Sequence, residues 1–470
     1  MTDLRVLPPF DPWRSAGIAA DVAVAAHAGA AGLARRRTQR LAALLRSAAR
    51  GSRLYRERLA GADPGRVRLR DLPVAHKAEL MRRFDDWVTD PALELAALRR
   101  FTADPARIAE PFLGRYTVWE SSGSSGEPGI FVQDAAALAV VDALEALRRP
   151  LLRPVQRWLD PWSLHERMLF IGAIGGHFAS TVSLQRLRRL NPALAPRLHG
   201  VSFLQPTPRL VAEIDAFAPT VVATYPSVAV LLAEEHLAGR LRSAPQEVWT
   251  GGETLSPAMA RFVEQAFACP VVNSYGASEF LTLACACREG NLHLNSDWAI
   301  LEPVDAQGRA VAPGTASATT LLTNLANHVQ PLIRYDLGDS VTVRPQACTC
   351  GSSLPVIEVQ GRSDDSLHLG RRGTATVCVP PLAVATVLED DAGLFDFQLV
   401  QQGPCELLLR TGLRGAEGTQ ALRRARAALA GFLVRQGASG VHIRCRSGEA
   451  AQRGRSGKMQ RVLLEEGIHP

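Results

Sequence analysis

The chain begins with a helical pattern and then changes period. Residues 16 to 60 are rich in Ala, Leu and Arg with little Pro, which predicts helices. From about 139 to 300, apolar runs of strand length alternate with helical stretches: RMLFIGAIGG, a basic helix near Leu184–Arg189, VVATYPS, VAVLLAEEHLAG, EVWTGGE, PAMARFVEQAF and CPVVNSYGASE. Strand then helix, repeated, predicts parallel sheets covered by helices. Ligands bind such sheets where strands end in loops, and three strands here run into TYPS, TGGE and SYGASE.

Between about 297 and 360 the helical pattern stops and short β segments take over, among them ASATTLLTNL, PLIRYDLGD and SVTVRP. After Gly361 and Arg362 strand and helix units return (ELLLRT, GTQALRRARAALAGFLVRQG, VHIRCRS), enough for a small domain of about one hundred residues. The expected fold is therefore α/β. Residues 1–362 form a large domain of parallel sheets with helices plus a β-rich subdomain, and residues 363–470 form a small α+β domain. No internal repeat stands out.

Composition narrows the classes. A chain of 470 residues, 47% hydrophobic and 21% charged, has the makings of a large globular core. The net charge of +7 comes mostly from scattered arginines, and their main cluster, Ala34–Arg58, is spaced like the solvated face of helices. A nucleic-acid partner is not expected, although small anions would be welcome on such a surface. No uninterrupted apolar run reaches about eighteen residues, so no membrane span is expected. MTDLRVLPPFDPWRS lacks the basic start and apolar block of a secretory signal. Eight cysteines, at 269, 285, 287, 348, 350, 378, 405 and 445, all fall in the second half, unlike a disulfide scaffold. The expected compartment is the cytoplasm, where thiols are reduced or hold metal.

Chemistry first suggests itself at SSGSSGEPG, residues 121–129. Ser and Gly permit close backbone approach, and N–H groups with serine hydroxyls can wrap phosphate oxygens. The spacing and lysine of a Walker loop are missing, and taken alone the stretch reads as an ordinary loop. Its company changes that reading. In order follow GGETLS at 251, NSYGASEF at 273, PLIRYDLGD at 331, GRSDD at 361 and GRSGKMQRV at 454. Together these six resemble the ordered motifs of the adenylate-forming superfamily: acyl- and aryl-CoA ligases, peptide-synthetase adenylation domains and luciferases. SRLYRERLAG, LPVAHKAELMRRFDDW, SGEPG, LHLNSDWAILEPVD and TNLANHVQPLIRYDLGD resemble its phenylacetate-CoA ligase-like branch, including relatives described as deazaflavin-adenylating synthetases.

The resemblance implies a role for each motif, and the chemistry supplies a reason. Activating a carboxylate with ATP requires in-line attack on the α-phosphorus while pyrophosphate leaves, so charge must be neutralised on both sides. Ser121, Ser122, Gly123, Ser124, Ser125 and Gly126 would cover the β- and γ-phosphates. Glu279 would hold magnesium, which takes one or two carboxylates plus phosphate oxygens. Tyr275 would offer a flat face to adenine and Ser278 a hydroxyl to the α-phosphate, with Gly252, Glu253 and Gly276 also in the nucleotide site. Asp339 would accept both ribose hydroxyls, and Arg362 would contact the nucleotide. Ser363–Asp365 would form the hinge, centred on Asp364, about which the small domain turns between adenylation and thioester formation. Lys458 would reach the carboxylate and α-phosphate as catalyst. One departure is Glu127, where many relatives carry lysine; it leaves less positive charge beside the pyrophosphate.

A second constellation, Cys287, His293, Cys348 and Cys350, supplies four ligands suited to tetrahedral zinc, with Cys285 an alternative to Cys287. A closed set of protein ligands implies a structural metal. The reading is ATP-dependent, AMP-forming activation of a small carboxylic acid, aryl or arylacetic, followed by transfer to coenzyme A. The acid pocket is expected near His177, Phe178, Tyr225, Gly252 and Ala277, with His177 either a polar contact or a packed core histidine. The rivals are transfer to an amine or carrier protein, an adenylyltransferase whose AMP-linked product is final, and a non-catalytic nucleotide binder. The oligomeric state is left open, a homodimer included.

Overall fold

The computed structural model describes residues 7–121, 128–150, 152–153, 165–172, 174–362, 365–370, 377–379, 381–451 and 459–465. The helical N-terminal pattern becomes helices Pro12–Ala26, Ala30–Gly51 and Arg53–Leu59. The first starts where Asp11 caps it by accepting the Arg14 N–H at 3.0 Å, with proline at the first helical position. This region is stitched to a distant stretch of chain. Trp87 donates its indole N–H to the Pro331 carbonyl at 2.6 Å, Thr89 N–H reaches Val329, and Ala75 pairs with Tyr335. The helix Lys77–Arg82 therefore starts beside Tyr335 and Asp336.

Strands β1 (Thr117–Glu120) and β2 (Ile130–Gln133) form an antiparallel hairpin. They frame the Ser/Gly-rich loop, whose ends are tied at 2.8 Å by Ser121 N–H to the Gly129 carbonyl and Gly129 N–H to Ser121 Oγ.

The centre is one nine-stranded sheet. Its members in chain order are β3 (Met168–Gly172), β4 (Leu198–Ser202), β5 (Val221–Thr224), β6 (Glu247–Thr250), β7 (Val271–Ala277), β8 (Phe280–Ala286) and β9 (Leu292–Leu294), joined later by β13 (Asp339–Val343) and β14 (Val356–Arg362). The order across the sheet is β13-β14-β9-β8-β7-β6-β5-β3-β4. From β4 to β7 the pairing is parallel, and helices such as Pro226–Leu237 and Pro257–Phe267 make the crossovers. From β7 onward every pairing is antiparallel. The α/β class holds, with one difference from expectation: the parallel run ends at β7 and continues as an antiparallel sheet rather than as a second parallel one. The cause is the hairpin at Gly276, because a parallel continuation would need a crossover of a dozen residues or more. Between β9 and β13 lies the β-rich part, an antiparallel sheet of β10 (Ala299–Val304), β11 (Thr319–Asn324) and β12 (Tyr335–Asp336).

The remaining strands are β15 (Leu367–Leu369), β16 (Val377–Val379), β17 (Gln398–Gly403), β18 (Glu406–Thr411), β19 (His442–Ser447) and β20 (Val462–Leu464). The last four make a mixed sheet, ordered β19-β18-β17-β20, against helix Gly415–Arg435. Their apolar residues, from Leu367 to Val462, form a core separate from the two cores of the preceding chain. No helix among the described residues is long and apolar enough to cross a membrane.

Candidate active site

The loops after β6 and β7, the β12–β13 turn and the end of β14 converge on a cavity of about 730 Å3, closed on one side by Met459–Val462. Each wall has a local cause. At Gly276 an added Cβ would sit 1.8 Å from the Leu281 carbonyl oxygen, so the tight β7–β8 hairpin admits glycine there. At Gly338 φ is +68°, and a Cβ would lie 2.9 Å from the Arg362 guanidinium; glycine lets that arginine approach the turn.

Asp339 and Arg362 are register partners on β13 and β14, their charged groups 3.8 Å apart. Arg362 also donates to the Leu337 carbonyl at 3.1 Å. Tyr275 donates its hydroxyl to Asp339 at 2.7 Å. Burial, reinforced by Asp339, pushes that phenol well above its ordinary pKa. Glu279 is half-buried just past β7 and accepts the Tyr335 hydroxyl at 2.8 Å. Desolvation holds its carboxyl above the usual glutamate range, and the Tyr335 hydrogen bond works against that shift. Two phenols, two carboxylates and a guanidinium thus meet at one end of the cavity. Such a group can neutralise phosphate, coordinate a hard cation and accept from ribose hydroxyls.

Ser121, Gly252, Glu253, Tyr275, Gly276, Ala277, Ser278, Glu279, Asp339 and Arg362 all line this cavity. Ser122, Gly123, Ser124, Ser125, Gly126, Asp364 and Lys458 lie outside the described residues. Glu253 sits where expected but differently engaged. One of its oxygens accepts the Ser227 N–H at 3.1 Å and the other the Met459 N–H at 2.8 Å.

Of the residues expected at the acid pocket, the structure brings only some to this cavity. Among the described residues, Ala277 and Gly252 line the cavity, whereas His177, Phe178 and Tyr225 do not. His177 is fully buried, its ring 5.4 Å from that of Phe101, and burial pushes its imidazole pKa down. It is the packed core histidine of the two options. Phe178 packs on the second core, and Tyr225 meets Phe203 edge-on at 5.8 Å within that core. Their strand-end positions suggested a pocket; His177 and Tyr225 are buried among apolar neighbours instead, and Phe178 is partly buried against the second core.

Sequence reasoning missed Lys77, which lines the cavity. The signal was present in LPVAHKAEL, but only the long-range pairing of Ala75 with Tyr335 carries this lysine to the site.

The second constellation assembles. The ligand atoms of Cys287, His293, Cys348 and Cys350 all lie within 4.8 Å of one another. His293 Nδ1 faces the Leu354 carbonyl at 2.9 Å, leaving Nε2 3.3 Å from Cys350 Sγ. A carbonyl on the far nitrogen fixes a histidine for metal binding through the other. Asn291 donates to Cys348 Sγ at 3.3 Å. Cys285 is outside the group: its side chain is buried within β8 and burial pushes its thiol up to about 12. Four thiol and imidazole donors at this spacing fit zinc.

Fold and motifs together are similar to those of adenylate-forming proteins. The family model described as "AMP-binding enzyme" matches residues 194–316, a stretch that includes GGETLS and NSYGASEF. The phenylacetate-coenzyme A ligase of Thermus thermophilus is 29% identical over 285 residues, which is 58% of this chain and 59% of that protein, so the match spans little more than half of the curated relative. Among solved structures, a 2-hydroxyisobutyryl-CoA ligase in its post-adenylation state, in complex with R3-HIB-AMP, superposes with a TM-score of 0.64 at 19% identity, over 92% of this chain and 89% of that one. The same ligase in its thioesterification state gives 0.51, at 19% identity over 91% and 88%. The resemblance read from the motifs is borne out: residues 194–316 match the AMP-binding enzyme model, and the fold is similar to that of the 2-hydroxyisobutyryl-CoA ligase.

Proposed function

We propose that the protein activates a carboxylic acid with ATP and passes the acyl group to coenzyme A. The observation that carries this reading is the meeting of Tyr275, Glu279, Asp339 and Arg362, from three separate motifs, in one cavity. In the first step a carboxylate oxygen attacks the α-phosphorus, and the bond to the bridging oxygen breaks, releasing pyrophosphate and leaving acyl-AMP. In the second step the thiolate of coenzyme A attacks the acyl carbon and AMP departs. Asp339 would hold the ribose, Tyr275 the adenine, and Arg362 and Lys458 the developing negative charge. Lys77 would supply the positive charge that Glu127 withholds from the phosphate loop. Magnesium held by Glu279 would neutralise the phosphates. Zinc held by Cys287, His293, Cys348 and Cys350 would tie the end of β8 and β9 to the loop before β14. Residues 1–362 would act as one body and 363–470 as a second, turning about Asp364. The phenylacetate-coenzyme A ligase relative supports an aryl or arylacetic acid as substrate.

Acid-dependent exchange of pyrophosphate into ATP, run over a panel of acids, tests this. Exchange with an aryl acid followed by thioester formation is expected. No exchange with any acid contradicts the proposal, and exchange without thioester makes the acceptor an amine or a carrier.

A further inference from the structure

The segment that closes the cavity is held at two points, and each hold begins at the start of a large-domain helix. Glu253 accepts Ser227 N–H on one oxygen and Met459 N–H on the other. Ser227 is the second residue of helix Pro226–Leu237, where backbone N–H groups have no partner within the helix. Three residues after Glu253, Ser256 caps helix Pro257–Phe267 by accepting the Met259 N–H at 3.1 Å, and its hydroxyl donates to Glu389. Glu389, only 2% exposed, comes from the small core and binds Arg461 with its other oxygen. Arg461 is fixed in turn by the Phe395 carbonyl at 2.7 Å and the Phe397 ring at 4.0 Å.

Other contacts across this junction are of a different kind. The Phe262 and Phe395 rings stack at 5.1 Å, and Arg261 meets Asp390 at 2.8 Å with the arginine 57% exposed. A ring stack tolerates sliding, and an exposed ion pair is screened. The two glutamates hold through charge-assisted hydrogen bonds, which are directional. They grip positions two residues apart, about 7 Å along an extended chain. One grip would leave a pivot; two fix both position and direction.

We propose that Glu253 and Glu389 are positioning residues for the adenylation step: a two-carboxylate clamp that sets the register of Met459–Val462 over the cavity and lets go when the small domain turns. GGETLS is then a socket for the small domain as much as a nucleotide loop, since its glutamate and its serine both face across the junction. Met459 follows Lys458 in the chain, so the clamp acts on the residue next to the proposed catalyst. The step affected rests on the proposed function; the clamp itself does not.

The test uses the full-length protein and the variants Glu253→Ala and Glu389→Gln, the latter keeping a neutral acceptor beside Ser256 so that the small core folds. Amide hydrogen exchange across Met459–Leu464 should speed up about ten- to a hundredfold in each, the factor for losing one hydrogen bond to a charged group. Pyrophosphate exchange should fall by a similar factor, and in Glu389→Gln, which lies outside the cavity lining, thioester formation from supplied acyl-adenylate should stay within about twofold. Unchanged amide exchange in both variants, or equal loss in the two half-reactions of Glu389→Gln, overturns the clamp. A wild-type protein without pyrophosphate exchange overturns the proposed function instead, and amide exchange alone then decides the clamp.

Discussion

The two halves of the nine-stranded sheet carry their chemistry in different places. In the parallel half it lies at strand ends: Gly252, Glu253 and Ser256 follow β6, and Ser278 and Glu279 follow β7. In the antiparallel half it lies across the ladder. Asp339 faces Arg362 on β13 and β14, and His293 on β9 is tied to β14 through its register with Val356. A loop at a strand end can meet a neighbouring body and release it, as GGETLS meets Met459. A cross-strand pair cannot separate without breaking backbone hydrogen bonds. On the proposed function, the parallel half holds what would be exchanged and the antiparallel half what would stay fixed.

The largest expected effect is at Glu279, where the halves join. Glu279→Ala should lower pyrophosphate exchange by about two to three orders of magnitude, the scale of losing one stabiliser of transition-state charge. Glu279→Gln should do the same and also separate function from stability. Burial raises this carboxyl above the ordinary glutamate pKa. A group that holds its proton more tightly when folded contributes most below the ordinary value and loses that contribution as pH rises through the raised one. The glutamine variant should therefore gain on the wild type with rising pH in urea unfolding; a gap that stays level between acid and neutral pH contradicts this.

Cys348→Ser with Cys350→Ser should come next, striking the fixed half. Zinc measured on the purified protein should disappear, with a local stability loss on the order of 4 kcal/mol, the size reserved for losing a metal or a buried network. Slow amide exchange retained in β9 and β14 would argue against a structural metal. Tyr275→Phe removes one hydroxyl from Asp339 and should weaken nucleotide binding by about 1 kcal/mol, roughly fivefold, by titration calorimetry. Arg261→Ala, at the exposed junction pair, should change stability by less than about 1 kcal/mol. A larger effect there would move weight from the clamp to the junction surface.

Much of the site was legible because its residues travel in short motifs. SYGASE and RYDLGD each place their functional residue within a residue or two of a strand end, so the order of the motifs gave the walls of the cavity. The alternation of apolar runs gave the parallel strands for the same reason. Cross-chain placement was not legible. Nothing in LPVAHKAEL says that Ala75 pairs with Tyr335 and so delivers Lys77; Glu389 belongs to none of the motifs, and GRSGKMQRV contains Arg461 without naming its partners. GGHFAS looked like a pocket edge because polar His177 follows glycines, but local sequence does not reveal that Phe101 packs against it. Asp297 in LHLNSDW proves to be a buried anchor, bound by Arg148 at 3.0 Å and Arg40 at 3.4 Å. Spacing alone could not separate Cys285 from Cys287: Cys285 is buried on β8, and Cys287, just past the end of that strand, is the one that lies with His293, Cys348 and Cys350.

Asn291 touches both centres: its amide donates to Cys348, its oxygen accepts from Arg344 at 2.8 Å, and the residue lines the cavity. The sulfur knot and the cavity share that wall. With zinc bound and the activity as proposed, a chelating buffer used in purification would loosen a side of the cavity, and the resulting loss of activity would pass for weak substrate affinity. Metal content belongs beside every kinetic measurement made on this protein.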